Sequence, residues 1–230
     1  MIEVVRPEAT YFLPKGLPQH KIDQFTAHGT EPDLLPLLET ILTRSTGDVI
    51  TAGVFVGGLL PTLCRLATRV WAWDCVPEHV ECAHKMTQTN GLRNCTVQLA
   101  ALGDRVEAVT VTTGCTGQPS LAGESCIVED GVPVNDLLDL KGYELDTFEV
   151  QQTTIDSNEY RDLALIQLDL EGYELPALVG AKRTIEQHLP AIIVEDRPAL
   201  CHSLLTSWGY SFQGIRSGDR IYIHRSKLDK

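Results

Sequence analysis

The stretch LIQLDLEGYELPALVGA, Leu165 to Ala181, confines this chain to few architectures. Its first half is a short, nearly continuous apolar run, the pattern of a strand buried on both faces, and such strands belong to parallel sheets covered by helices. Asp169 and Glu171 end the run, Gly172 makes the turn, and Glu174 starts a helix expected to finish near His188. Acids thus converge at the carboxyl edge of a parallel sheet, where doubly wound folds bind ligands. For Glu174 the simpler reading is a helix cap, because an acid at a helix start complements the dipole.

The chain around this stretch supports the same layout. DVITAG and VWAWD read as strands, Gly57 to Ala67 and Pro77 to Asn90 as helices, and CTVQLAAL as a third strand. That alternation is the signature of right-handed crossovers in a parallel sheet. EPDLLPLLETIL, Glu31 to Leu42, reads as a leading helix with an acidic, proline-containing start. After LALIQLDL come AIIVED, a short helix through about Leu204, and a closing hairpin of GYSFQ and RIYIHR about Ser217-Gly218-Asp219. Residues 1–30, with Pro7, Pro14, Pro18 and Gly16, are expected to form an irregular arm. Residues 31–230 are expected to form a single domain with a long loop at about 112–146.

Composition narrows the function. The 19 Lys and Arg against 31 Asp and Glu give a formal charge of -12, which repels phosphate backbones and anionic lipid heads. A nucleic-acid partner is not expected. No apolar run approaches the roughly 20 residues that span a bilayer, and the opening residues hold no uninterrupted apolar core of a leader. A cytoplasmic protein without membrane insertion is the expectation. The seven cysteines are scattered and form no CxxC pair, so they read as reduced thiols.

Three further motifs carry chemistry. TAGVFVGG, Thr51 to Gly58, lies where a strand turns into a helix, and Gly53 and Gly57 let backbone approach a nucleotide-like ligand. Asp74 ends the next strand about twenty residues on, placed to accept from both ribose hydroxyls of adenosine in S-adenosylmethionine or NAD. AALGD, Ala100 to Asp104, offers small residues such as Ala101 for a flat adenine slot and the Asp104 carboxylate for the adenine amino group.

The succession of glycine turn, acidic strand end, Asn90-Gly91, AALGD, TTID at Thr153 to Asp156, QLDLEGYELPALVGA and AIIVED resembles the FkbM family of S-adenosylmethionine-dependent methyltransferases. The likeness covers roughly residues 48–196, with the long loop unmatched. It implies an α/β, Rossmann-like class I methyltransferase fold: a seven-stranded, mostly parallel sheet with an antiparallel last strand and helices on both faces. It also implies S-adenosylmethionine as methyl donor, bound around Thr51, Gly53, Gly57, Asp74, Ala101 and Asp104, and a hydroxyl oxygen of a small molecule or saccharide as acceptor. Where the family usually has aspartate and asparagine in its glycine motif, this chain has Thr51 and Phe55; where it has lysine before the acidic motif, this chain has Gln167.

A hydroxyl acceptor must lose its proton, and a carboxylate within hydrogen-bond reach serves as base. Asp169 and Glu171 are the candidates by position, with Glu195 on the neighbouring strand end as a third. The same acids would suit Mg²⁺, a lesser reading, and no metal is assigned from sequence. Two other readings remain open at this point: a methyltransferase-like scaffold that has lost catalysis, suggested by Thr51 and Phe55, and an NAD-dependent oxidoreductase.

Overall fold

The structure, a computed structural model, describes residues 1–29, 31–115, 125–129, 132–134, 144–196 and 199–228. The chain opens with strands β1 (Ile2–Val5) and β2 (Thr10–Leu13) and helices α1 (Gln19–His28) and α2 (Leu35–Arg44). The alternating core follows as β3 (Asp48–Ala52), α3 (Leu60–Leu66), β4 (Arg69–Asp74), α4 (Pro77–Thr89) and β5 (Cys95–Leu99). An insertion then supplies β6 (Ala101–Leu102), β7 (Glu107–Cys115), β8 (Cys126–Glu129), β9 (Val132–Pro133) and β10 (Leu145–Thr153). The core resumes with β11 (Leu165–Leu168), α5 (Glu174–Val179), α6 (Lys182–His188), β12 (Ala191–Val194), α7 (Leu200–Ser207), β13 (Tyr210–Arg216) and β14 (Asp219–His224).

The main sheet has seven strands in the order β13-β14-β12-β11-β3-β4-β5. Only β14 runs against its neighbours; the β12–β11–β3–β4–β5 pairs are all parallel. This is the expected class I methyltransferase sheet, with its last strand antiparallel. Successive side chains of the central strands point to opposite faces. Val49, Leu165 and Ile193 join one core with Leu38 of α2, Leu63 of α3 and Met86 of α4. Ile50, Ile166 and Ile192 join a second core with Leu178 of α5, Ile185 of α6 and Leu205 of α7. Burial on both faces explains why these strands read as unbroken apolar runs.

Three expectations are corrected. The arm is not irregular: β1 and β2 form an antiparallel hairpin and α1 follows. Its prolines mark boundaries, with Pro7 in the hairpin turn, Pro14 after β2 and Pro18 capping α1. The hairpin is fastened to the end of α4 by Asn90, whose Oδ1 accepts from Thr10 N at 2.9 Å and whose Nδ2 donates to Thr10 O at 2.7 Å. Lys85 Nζ lies 4.3 Å over the Phe12 ring.

The segment at 112–146 is not simply a loop either. β7 and β10 pair antiparallel through most of their length and extend into it from both sides. β8 and β9 complete a second sheet in the order β6-β10-β7-β8-β9. Residues 116–124, 130–131 and 135–143 of the expected loop lie outside the described residues.

The helix expected as far as His188 breaks at Gly180 and Ala181 into α5 and α6. A side chain at Gly180 would meet Gly103 O at 2.0 Å, so the two backbones touch there. Asp156 then caps α6 from outside, accepting from Arg183 N at 2.9 Å and Thr184 N at 2.8 Å.

Candidate active site

A cleft of about 610 Å³ opens at the carboxyl ends of β3, β4, β11 and β12. Thr51, Gly53, Asp74, Ala101, Asp169, Glu171 and Glu195 all line it, so the strand order gathers most of the predicted site residues. Gly57 and Asp104 are not among the lining. Gly57, at φ +84, packs toward Met86 and Leu60 in the helical layer. At Gly103 the chain bonds back to Thr153 O at 3.0 Å, and Asp104 beyond it is exposed, 3.5 Å from Arg105 Nη1.

The glycine turn is set by contact with the acidic motif. Gly53 has φ +80, and a side chain there would meet Asp169 O at 1.7 Å. Only glycine lets the ends of β3 and β11 approach this closely. Phe55 also takes a left-handed conformation, φ +50, uncommon for a bulky residue. Its N–H donates to Asp74 Oδ2 at 2.8 Å, and its ring stands edge-on to His79 at 4.7 Å between centroids.

Asp74 is buried and tightly held. Its Oδ1 accepts from Val76 N at 2.8 Å and lies 3.2 Å from His79 Nδ1. A carboxylate offers about four acceptor positions. With three engaged by Val76, His79 and Phe55, one remains on Oδ2 rather than the full pair expected for two ribose hydroxyls.

Two departures from the family's usual residues turn out to be one. Thr51 and Gln167 are register partners in the β3–β11 pair, both are buried, and Thr51 Oγ1 donates to Gln167 Oε1. Where the family pattern has an acid and a lysine, this chain has a neutral hydrogen-bonded pair. The threonine hydroxyl keeps lone pairs toward the cleft.

The acids gather on the other side of the turn. One carboxylate oxygen each from Asp169, Glu171 and Glu195 lie within 4.8 Å of one another. Burial, a hydrogen bond with Glu195 and the charges of Glu195, Glu171 and Glu31 hold the Asp169 carboxyl well above the usual carboxylate range. Burial pushes Glu31 up to about 7, with Glu195 adding to it. Glu171 adopts φ +52, which turns the chain between β11 and α5. Glu174 does not cap α5 in the expected way. Its Oε1 accepts from Leu170 N at 2.7 Å and Gly172 N at 3.3 Å, clamping the turn before the helix, and burial raises its pKa to about 7.

The cleft also has a roof that motif reading missed. Lys21 and Gln24 of α1 enter from the arm and Glu31 from just after it, and Ser125, Cys126 and Ile127 from the start of β8 and the residue before it. Tyr173 Oη donates to Glu129 Oε1 at 3.2 Å and so ties β8 to the acidic motif. These residues share no local spacing with the motifs; only the hairpin and the insertion bring them over the cleft. Trp73, in the cleft wall and 1% exposed, has its indole N–H buried without a partner.

The family model for the methyltransferase FkbM domain matches residues 63–212, and the chain belongs to this family. The match begins after the glycine turn, so the unusual Thr51 and Phe55 lie outside it. Among solved structures, the chain is similar to methyltransferase FkbM from Methylobacillus flagellatus KT, with 19% identity and a TM-score of 0.52. That similarity covers 78% of this chain and 44% of the other, so this chain spans less than half of that protein. It is also similar to precorrin-6y C5,15-methyltransferase from Geobacter metallireducens GS-15, with 10% identity and a TM-score of 0.49 over 93% of this chain and 91% of the other. A methyltransferase from Geobacter sulfurreducens gives 12% identity and a TM-score of 0.49 over 92% and 91%. No curated protein matches the chain. Among the described residues, no helix is long and apolar enough to cross a membrane.

Proposed function

We propose that this chain transfers the methyl group of S-adenosylmethionine to a hydroxyl oxygen of a small molecule or sugar. The observation that carries the reading is the joining, in one cleft, of the Asp74 carboxylate, the glycine turn and the acids of β11 and β12. The residues present fit the donor. Ala100, Ala101 and Leu102 offer a flat apolar wall, and the unsatisfied Trp73 N–H suits a ring nitrogen of a purine. The remaining acceptor position of Asp74 takes a ribose hydroxyl. Thr51 offers the donor's ammonium a neutral oxygen in place of an acid.

When bound, the donor supplies a methyl group activated by a positive sulfur. Displacement at that carbon requires the acceptor oxygen in line, deprotonated and away from water. Burial, the hydrogen bond with Glu195 and the charges of the neighbouring acids all favour the protonated form of Asp169. The base is then Glu171 or Glu195, with Asp169 hydrogen-bonded to Glu195 and orienting it. The arm and β8 close the cleft above them and supply the surfaces that choose the acceptor.

Transfer of labelled methyl from S-adenosylmethionine to a panel of polyols, sugars and phenols tests this reading. The expected product carries the label as an ether on oxygen. Label found on nitrogen or carbon would overturn the choice of acceptor atom. Donor binding without transfer to any acceptor would favour a binding or scaffold role, which the neutral Thr51–Gln167 pair makes the second reading.

A further inference from the structure

Phe55 and His79 reach the Asp74 carboxylate from the glycine turn and from α4. Phe55 is a bulky residue at φ +50, where glycine or asparagine would set the same turn with less strain. Its N–H donates to Asp74 Oδ2 at 2.8 Å, but any residue other than proline supplies that bond. What an aromatic side chain adds is the ring. It stands at 90° to the His79 imidazole with 4.7 Å between centroids, a favoured edge-to-face arrangement. Strained residues of this kind persist where their surroundings over-determine them, and they gather at ligand sites. His79 in turn is buried, as Asp74 is, and its Nδ1 lies 3.2 Å from Asp74 Oδ1. A carboxylate only accepts, which assigns the hydrogen to Nδ1. Val76 N donates to the same oxygen at 2.8 Å. Donors from the glycine turn on Oδ2 and from the start of α4 on Oδ1 thus fix the plane of the carboxylate. Asp74 and Phe55 line the cleft and His79 does not, so the imidazole acts through Asp74 rather than on a ligand.

We propose that Phe55 and His79 are positioning residues for the methyl donor, an inference that rests on the methyltransferase reading above. The Phe55 ring fixes the imidazole, the imidazole fixes the Asp74 carboxylate, and the carboxylate meets the donor's ribose already oriented. Such preorganisation removes part of the ordering that binding otherwise requires. Phe55 then no longer speaks for a scaffold that has lost catalysis, because its ring serves the donor site in spite of the strained turn.

The test titrates the whole chain with S-adenosylhomocysteine by calorimetry, in the wild type and in Phe55→Gly, His79→Leu and His79→Asn, each checked for folding by circular dichroism. Phe55→Gly keeps the N–H to Asp74 and relieves the strained φ while removing the ring, and it is expected to bind at least fivefold more weakly. His79→Leu is expected to lose at least fivefold as well. His79→Asn places an amide N–H near the position of Nδ1 and is expected to stay within twofold of the wild type, a rescue that a space-filling role for the imidazole would not give. Equal affinity in the wild type and Phe55→Gly would overturn the proposal, as would a loss in His79→Asn as large as that in His79→Leu. Phe55→Gly keeps the test decisive if His79→Leu does not fold. Absence of binding to the wild type would overturn the donor reading itself, whereas binding that is equal in wild type and variants would overturn the positioning role alone.

Discussion

Thr51 and Gln167 face each other across the parallel β3–β11 pair and share a buried hydrogen bond between side chains. An acid and a lysine at these two positions would form a buried ion pair. Restoring one alone leaves an unpaired charge in the sheet. Thr51→Asp and Gln167→Lys are each expected to destabilise the fold by about 3 kcal/mol, and the double variant to recover at least about 2 kcal/mol of the sum. Denaturant unfolding of the four proteins measures the coupling; additive losses would show that the two positions do not act as a pair.

The contact between Gly53 and Asp169 O predicts an unequal pair of glycine substitutions. Gly53→Ala forces a carbon to 1.7 Å from a backbone oxygen and is expected to cost more than about 3 kcal/mol, enough to lower soluble yield sharply. Gly91→Ala meets nothing within 4 Å and carries only the strain of φ +67, about 1 kcal/mol. Thermal unfolding of both distinguishes them, and similar losses would contradict the close approach.

Stability should depend on pH through Glu174. Its folded pKa of about 7 lies above the ordinary 4.5, so the folded state holds the proton more tightly than the unfolded chain. Its contribution is therefore complete below pH 4.5 and is lost as pH rises through 7, by up to roughly 3 kcal/mol. Glu31, also raised to about 7, acts in the same direction. Glu174→Gln keeps an oxygen for the Leu170 and Gly172 N–H groups but cannot ionise. Its stability is expected to fall less than that of the wild type between pH 5 and 8. Parallel profiles would remove Glu174 from the account.

The Tyr173–Glu129 bond is the described polar link between the acidic motif and the roof strand β8. Tyr173→Phe is expected to speed amide hydrogen exchange in β8 several-fold while leaving β11 and β12 unchanged, since local opening follows lost local contacts. Unchanged exchange in β8 would mean that packing alone holds the roof.

The central sheet was legible because its strands are buried on both faces and read as apolar runs. Ile50, Ile166 and Ile192 announce their strands without any knowledge of partners. The roof was not. β7 and β10 are rich in Thr, Glu and Gln and only partly buried, so their sequences carry little apolar contrast. In the arm, the prolines sit at turns between short elements, where they look the same as prolines in disordered chain. For Asp104, a strand-end carboxylate could not reveal that the residue would lie exposed beside Arg105. Equally, Thr51 and Gln167 are 116 residues apart, and only the strand register shows that their two substitutions belong together.

Asp74 gives the central claim its most direct test. A ribose hydroxyl bonded to a buried carboxylate is worth about 1.5–3 kcal/mol. Calorimetric titration with S-adenosylhomocysteine is expected to show one site per chain in the wild type, weakened tenfold or more in Asp74→Ala that remains folded by circular dichroism. Absence of binding to the wild type, or equal affinity in the variant, would contradict the account.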